Sequence, residues 1–410
     1  MPAYRALRQV GFEVILNDIL YRSHEMEVRR VSALDGGLHC VVTFSSYHDG
    51  NGLHLPGFGQ DHFAREGISA IHVLCRGNDW YQYAEMPAVT AAIRAAIPHS
   101  ARIMAYGSSM GGYAAIRFAS AIGAQAVLAL SPQYSVDPRV IRSEDRWIED
   151  QRRIEFLPEV ERRIEYAGRI VIAYDPESTL DRLHAERIAA EVAIDPLPLP
   201  FAGHPAGTYL LETGLLRPLV RQTLSGELDS AAFTREAKRR APTSATFLTE
   251  LSATRPTVEA VALARAAVAL SPDSAHVHVR LSNRLAAAGD WPAAIEVHRR
   301  ALELDSGPAF RWSFANALRA ARNLDEALAV TRTLQMESPT IARYHRLAAD
   351  VRLVMGDLAG AVEELGEAIR CAPAAADHRR LATKLRWRLK FNRWRAGLAS
   401  MPWKSREHRL

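Results

Sequence analysis

The sequence predicts two unlike halves: an α/β domain built on a mostly parallel, doubly wound sheet, then an all-α repeat solenoid. Three observations carry this expectation. Up to about residue 225, short apolar runs rich in Val and Ile alternate with helix-like stretches. Beyond about residue 240 the strand-like runs vanish. In that second part, small residues recur at a fixed spacing.

The first half opens with "FEVILND" (12–18) and "HEMEVRRVSA" (24–33), which alternate apolar and polar side chains and suit antiparallel edge strands. "LHCVVTFSS" (38–46), "SAIHVLCR" (69–76), "ARIMAY" (101–106), "AQAVLALS" (124–131) and "RIVIAY" (169–174) are apolar on both faces. Helical stretches such as 86–97 and 111–122 separate them. Strands buried on both faces and joined by helices make a parallel sheet covered on each side.

In the second half, Ala260, Ala294, Ala327 and Ala361 recur at spacings of 34, 33 and 34. Ala267, Ala301, Leu334 and Ala368 follow in step, and Pro272, Ser306, Pro339 and Pro373 close each unit. The turn "AGDWPAAI" (288–295) is echoed by "MGDLAGAV" (355–362). Small side chains at the two columns let paired helices approach closely. The pattern resembles tetratricopeptide (TPR) repeats over residues 241–373, with the first repeat degraded. That resemblance implies a protein partner or self-association. The expected plan is an α/β domain at 1–228, a linker at 229–240, repeats at 241–373, and a basic capping helix and tail at 374–410.

In that last segment Leu381, Leu385 and Leu389 form a stripe able to close the solenoid. Trp387, Phe391, Trp394 and Leu398 form a second stripe among arginines. Exposed tryptophans are costly, so this stripe is expected to pack on the α/β domain or another subunit. Contact with a membrane surface or RNA is the alternative for so basic a helix.

Composition is that of an ordinary globular chain, with 48% hydrophobic and 24% charged residues. No apolar run approaches the roughly 18 residues a membrane-crossing helix needs. The N-terminus lacks the basic and apolar blocks of a secretory signal. Cys40, Cys75 and Cys371 are scattered, and reduced thiols in a cytoplasmic protein are expected. The net charge of +5 is a local property. Eleven Lys and Arg beyond residue 373 face only Asp377 and Glu407, so the tail carries +9 and the rest −4. Nucleic-acid binding is therefore not expected of the body of the protein.

The chemistry centres on "RIMAYGSSMGGYAAIRFA" (102–119), where a strand turns sharply into a helix. Gly107-Ser108-Ser109-Met110-Gly111 matches Gly-x-Ser-x-Gly, the spacing of a serine mounted on a tight turn. Side chains at the two glycines would collide with the adjoining strand and helix. Such a serine needs a base and an acid to orient it. "RIVIAYDPEST" puts Asp175 after a strand and "LPLPFAGHPAG" puts His204 in a turn, in the order serine, acid, histidine. Asp137 is the fallback acid, and Ser108 occupies the variable position of the elbow. His184, in a helix, is expected to be exposed. The Met110 N–H is one expected oxyanion donor. The second falls to the loop "FSSYHDGNG" (44–52), where Ser46 is preferred over Ser45 and Tyr47. Asn78, Asp79, Trp80 and Tyr81, with Ser45 and Tyr47, are candidates to meet substrate, as polar groups beside aromatics suit a sugar or other polar ring. The segment 132–168 is strongly charged and lacks an apolar lid face.

With these motifs, residues 10–225 resemble the α/β-hydrolase superfamily. The "YGSSMGGYAA" elbow and the "FSS" and "RGNDWYQY" segments are similar to bacterial hydrolases of cell-surface polysaccharide formation. The resemblance implies acyl-enzyme chemistry on Ser109 with a small-molecule or saccharide acyl ester, and neither metal nor organic cofactor. Two alternatives stay open: an acyltransferase using the same triad, and an inactive hydrolase-fold scaffold acting through its repeats.

Overall fold

The computed structural model describes residues 16–32, 38–48, 50, 52–373 and 375–399. It divides into two units, Met1–Leu251 and Ser252–Leu410.

The first unit contains, in chain order, β1 (Leu16–Arg22), β2 (Met26–Ser32), β3 (His39–Phe44), α1 (Gln60–Arg65), β4 (Ser69–Cys75), α2 (Met86–Ala96), β5 (Arg102–Ser108), α3 (Met110–Ile122) and β6 (Ala126–Leu130). There follow α4 (Ile148–Arg153), β7 (Arg169–Tyr174), α5 (Thr179–Ala189), β8 (Asp195–Pro198), α6 (Gly207–Glu212), α7 (Leu216–Ser225), α8 (Ser230–Arg240) and α9 (Ala245–Ser252). The eight strands form one sheet in the order β1-β2-β4-β3-β5-β6-β7-β8. β1 and β2 pair antiparallel, as does β2 with β4, and every other pairing is parallel. The part of the first expected strand before residue 16 lies outside the described residues.

Both sheet faces are covered, which explains why the central strands are apolar throughout. On one face Val42, Ile103 and Val127 pack with Val89, Ile93, Ile116 and Ile188 from α2, α3 and α5. On the other, Met104, Leu128 and Val171 pack with Tyr209, Leu219 and Phe233 from α6, α7 and α8. β8 reads Asp-Pro-Leu-Pro and takes the sheet edge, where a proline's missing N–H is tolerated.

The linker expected at 229–240 is instead α8. Asp229 caps it by accepting from the Ala232 N–H, and Phe233 and Ala237 enter the core. The Tyr209 hydroxyl donates to the Ala237 carbonyl at 2.7 Å. With two buried apolar side chains in three turns of mostly charged or small residues, the helix has almost no hydrophobic period to read. The unit ends at Leu251, in the last turn of α9, rather than at residue 228.

The second unit is a run of paired helices: α10 (Thr257–Leu270), α11 (Ala275–Ala287), α12 (Trp291–Leu304), α13 (Pro308–Ala320), α14 (Leu324–Glu337), α15 (Ala342–Met355), α16 (Leu358–Cys371) and α17 (Ala376–Ala399). Ala260, Ala294, Ala327 and Ala361 are all buried, as are Ala267, Ala301, Leu334 and Ala368. The repeated Gly-Asp turns have a shared cause. Gly289 and Gly356 take left-handed φ of 83° and 84° at a helix end. The next residue, Asp290 or Asp357, caps the following helix.

Ala382 and Leu385 of α17 are buried with Ala361 and Leu365, and Leu381 packs beside them, whereas Leu389 is not part of this cluster. The other stripe departs from expectation. Trp387 is 72% exposed and stacks on half-exposed Phe391, ring centroids 6.3 Å apart, rather than entering a core. The side chains of Trp394 and Leu398, and the tail from residue 400, lie outside the described residues. Among the described residues no helix is long and apolar enough to cross a membrane. Cys40, Cys75 and Cys371 form no disulfide among the described residues, and the first two are buried. Burial pushes the Cys40 thiol up to about 12.

Candidate active site

From β3 the chain crosses to β4, and from β5 it crosses the other way to β6. The carboxyl ends of adjacent β3 and β5 therefore open a crevice where connections diverge, the usual ligand position in such sheets. Ser45, Ser46 and Tyr47 follow β3, and Ser109 follows β5.

Ser109 takes φ 51° and ψ −117° between β5 and α3, a conformation costly for a residue with a side chain. A Cβ at Gly107 would collide with the Gly111 carbonyl, and one at Gly111 with the Phe44 carbonyl. The glycine spacing thus has the steric cause its pattern implies. Ser109 occupies the N-cap of α3, yet its side chain makes no cap hydrogen bond. Its Oγ instead lies 3.0 Å from His204 Nε2.

The carboxylate at His204 is Asp181, not Asp175. Asp181 Oδ1 and Oδ2 lie 3.0 and 2.9 Å from His204 Nδ1. Asp175 accepts the N–H groups of Glu177, Phe201 and Gly203 at 2.9 to 3.0 Å, and so ties the end of β7 to the histidine loop. Burial acts on both carboxyls but ends differently. Burial, only partly offset by those N–H groups, raises the pKa of Asp175. Burial also pushes Asp181 upward, but His204 and Arg146 outweigh it and hold this carboxyl below its usual range. The fallback, Asp137, is paired with Arg139 instead.

Sequence reasoning passed over three further groups. Arg146 donates to Asp181 at 2.9 Å and also binds Glu144. Glu144 meets His184 Nε2 at 2.9 Å, and His184 Nδ1 accepts the Tyr134 N–H. His184 is therefore fully buried, contrary to its expected exposure, because this network ties down both ring nitrogens. Burial pushes Glu144 up, yet His184 and Arg146 lower it to about 2. The third group, Gln133, places Nε2 2.9 Å from Ser109 Oγ. Only the charge of segment 132–168 was visible in advance, and nothing local marked these side chains.

The expected oxyanion donors flank Ser109. Met110 begins α3, and the Ser46 hydroxyl donates to the Ser108 carbonyl at 2.9 Å, seating the loop against the elbow. The Ser45 N–H is spent on the Val73 carbonyl at 3.1 Å. Trp80 and Tyr81 are fully buried and cannot meet a substrate as expected. The Tyr81 hydroxyl donates to the Ser45 carbonyl, and Trp80 Nε1 to Gln133. Asn78 clamps the His48 backbone, and Asp79 pairs with Arg153. Partly exposed Tyr47 packs 4.5 Å from Trp147, whose ring lies 6.5 Å from that of His204.

No protein-family model and no curated protein matches the chain. Similar solved structures include YrrB, described as a TPR protein with an unusual peptide-binding site, at 19% identity and TM-score 0.33, covering 43% of this chain and 90% of that one. A thermophilic TPR protein in Thermus thermophilus is 19% identical with TM-score 0.32, covering 42% and 98%. The Sgt2 TPR domain from Aspergillus fumigatus is 16% identical with TM-score 0.29, covering 33% and 90%.

Proposed function

We propose that the first unit is a serine hydrolase of the α/β-hydrolase kind, cleaving an ester or other acyl bond of a polar, carbohydrate-linked substrate. The second unit serves to bind a protein partner or a second copy of the chain. The observation that carries the first reading is the line Ser109 Oγ, His204, Asp181, with contacts of 3.0 and 2.9 Å. Asp181 accepts from Nδ1–H, which turns the Nε2 lone pair toward the serine proton. In attack, that proton passes to Nε2 as Oγ bonds the carbonyl carbon. The Met110 and Ser46 N–H groups are the donors for the oxyanion. Nε2–H then protonates the leaving alcohol, and water resolves the acyl-enzyme by the same steps in reverse order. If an acceptor hydroxyl replaces water, the same groups make an acyltransferase.

A second reading rests on the repeats: a helical array leaves open faces suited to a partner even if the first unit is silent. Fluorophosphonate labelling separates the two. Labelling of wild type, lost in Ser109→Ala, is the expected result, and folded wild type that never labels favours the scaffold.

A further inference from the structure

Gln133 stands three residues past β6, and only 1% of it is exposed. Its carboxamide bridges two side chains. Trp80 Nε1 can only donate, so the oxygen of Gln133 faces it, at 3.2 Å. The amide nitrogen must then face Ser109 Oγ, at 2.9 Å. Ser109 therefore accepts from Gln133, and its single proton is left for His204 Nε2.

We propose that Gln133 is a catalytic residue, a fixed donor that presets the Ser109 hydroxyl and stabilises charge on Oγ as its proton leaves. This rests on Ser109 being the nucleophile. In the step concerned the Oγ–H bond breaks and the proton passes to His204 Nε2. An electron pair on Oγ forms the bond to the carbonyl carbon, and the carbonyl π pair moves to its oxygen. Gln133 transfers nothing. Its N–H already points at the atom where charge develops, in a buried site where such a donor acts strongly.

The backbone around Trp80 fits this role. Trp80 and Tyr81 take successive left-handed φ of 46° and 57°, strain that persists only when the surroundings enforce it. Both strained residues reach the site: Trp80 fixes the Gln133 amide, and Tyr81 holds the Ser45 carbonyl. The indole N–H is what keeps the carboxamide from flipping its oxygen onto Oγ.

The test is the rate of fluorophosphonate labelling of the full chain, with thermal melting as the control for folding. Gln133→Leu keeps the volume but loses the donor, and its labelling should slow by about 10- to 100-fold. Gln133→Glu keeps the shape but presents an acceptor to Oγ, and should be slower still, an order that packing alone would not produce. Trp80→Phe keeps an aromatic ring but removes the anchoring N–H along with part of the buried ring volume, so a loss of several-fold is expected. Wild type that labels, with folded Gln133→Leu within twofold of it, overturns the proposal. Should both Gln133 variants fail to fold, an unchanged rate in Trp80→Phe overturns it equally. Wild type that does not label at all removes the nucleophile reading and this one with it.

Discussion

The two halves of the chain are held together on different length scales. In the repeats, each core cluster joins neighbouring helices, as Phe314, Leu318, Leu328 and Leu347 do across α13, α14 and α15. The packing is local, so a period of about one helical pair states it. In the α/β half, the hydrogen bond between Ser109 and His204 spans 95 residues, and Asp181 enters from a different connection. A sheet edge collects side chains that no period relates. Periodicity therefore encodes a scaffold well and a site poorly.

The sharpest way to break that comparison is at the two aspartates, where the largest effect is expected. On the proposed mechanism, Asp181→Asn should cut turnover of an activated ester by about 10⁴-fold, because Asn can no longer fix the tautomer that makes His204 a base. Asp175→Asn turns one of the two oxygens that accept three backbone N–H groups into a donor, so at least one of those N–H groups loses its partner. It should cost about tenfold or less in rate and lower the melting temperature by loosening the histidine loop. If Asp175→Asn proves the more damaging to rate at unchanged stability, the acid belongs where the sequence pattern put it.

That pair also marks where legibility ended. Ser109 was readable because two glycines are forced by sterics at fixed spacing, and His204 because it follows a strand in chain order. Asp175 and Asp181 satisfy the same order, and only the turn into α5 decides between them. Gln133 and Arg146 carry no local signal at all. Trp80 and Tyr81 suggest a substrate surface because polar groups beside aromatics suit a polar ring, whereas both are buried among side chains distant in sequence, Trp80 with Trp147 and Tyr81 with Phe44. In the repeat half the columns of small residues were readable one by one, whereas α8, at the end of the α/β half, has too few apolar side chains to register.

Acid should sharpen the contrast next. Glu144 is buried in the α/β half, and with its partners its carboxyl falls to about 2 from an ordinary 4.5. A carboxyl depressed on folding stabilises the fold above its unfolded pKa, and the contribution fades as pH drops through the folded value. The linked stability is roughly 3 kcal/mol at neutral pH. Glu144→Gln should therefore be less stable than wild type at pH 7, and the gap should narrow between pH 4.5 and about 2. Chemical denaturation across that range measures it, and a gap independent of pH would deny the ionised network. Ion pairs in the repeats, such as half-exposed Arg299 with Glu326, should contribute at most about 1 kcal/mol each.

The repeat half should answer instead to volume. Ala327 is fully buried in the column where paired helices approach. Ala327→Leu should destabilise the second unit by about 1 to 3 kcal/mol through overpacking. Fluorophosphonate labelling of Ser109 should be unchanged, since each unit has its own core. Loss of labelling in step with that unfolding would show that the halves do not keep separate accounts of stability.

The smallest expected effect tests the period at a turn where it lapses. Gly289 and Gly356 occupy the left-handed position that ends a helix, but the equivalent site between them holds Arg322, at φ 65°. A side chain in that conformation costs roughly 1 to 2 kcal/mol, and glycine avoids the cost. Glycine also loses more backbone freedom on folding, which returns part of the gain. Arg322→Gly should therefore raise the stability of the second unit by up to about 1 kcal/mol, while Gly356→Arg should lower it by a similar amount. Denaturant midpoints of the two variants read the difference directly. If Arg322→Gly destabilises, the arginine is held by something other than the repeat's own turn geometry, and the period describes less of this half than its buried alanine columns imply.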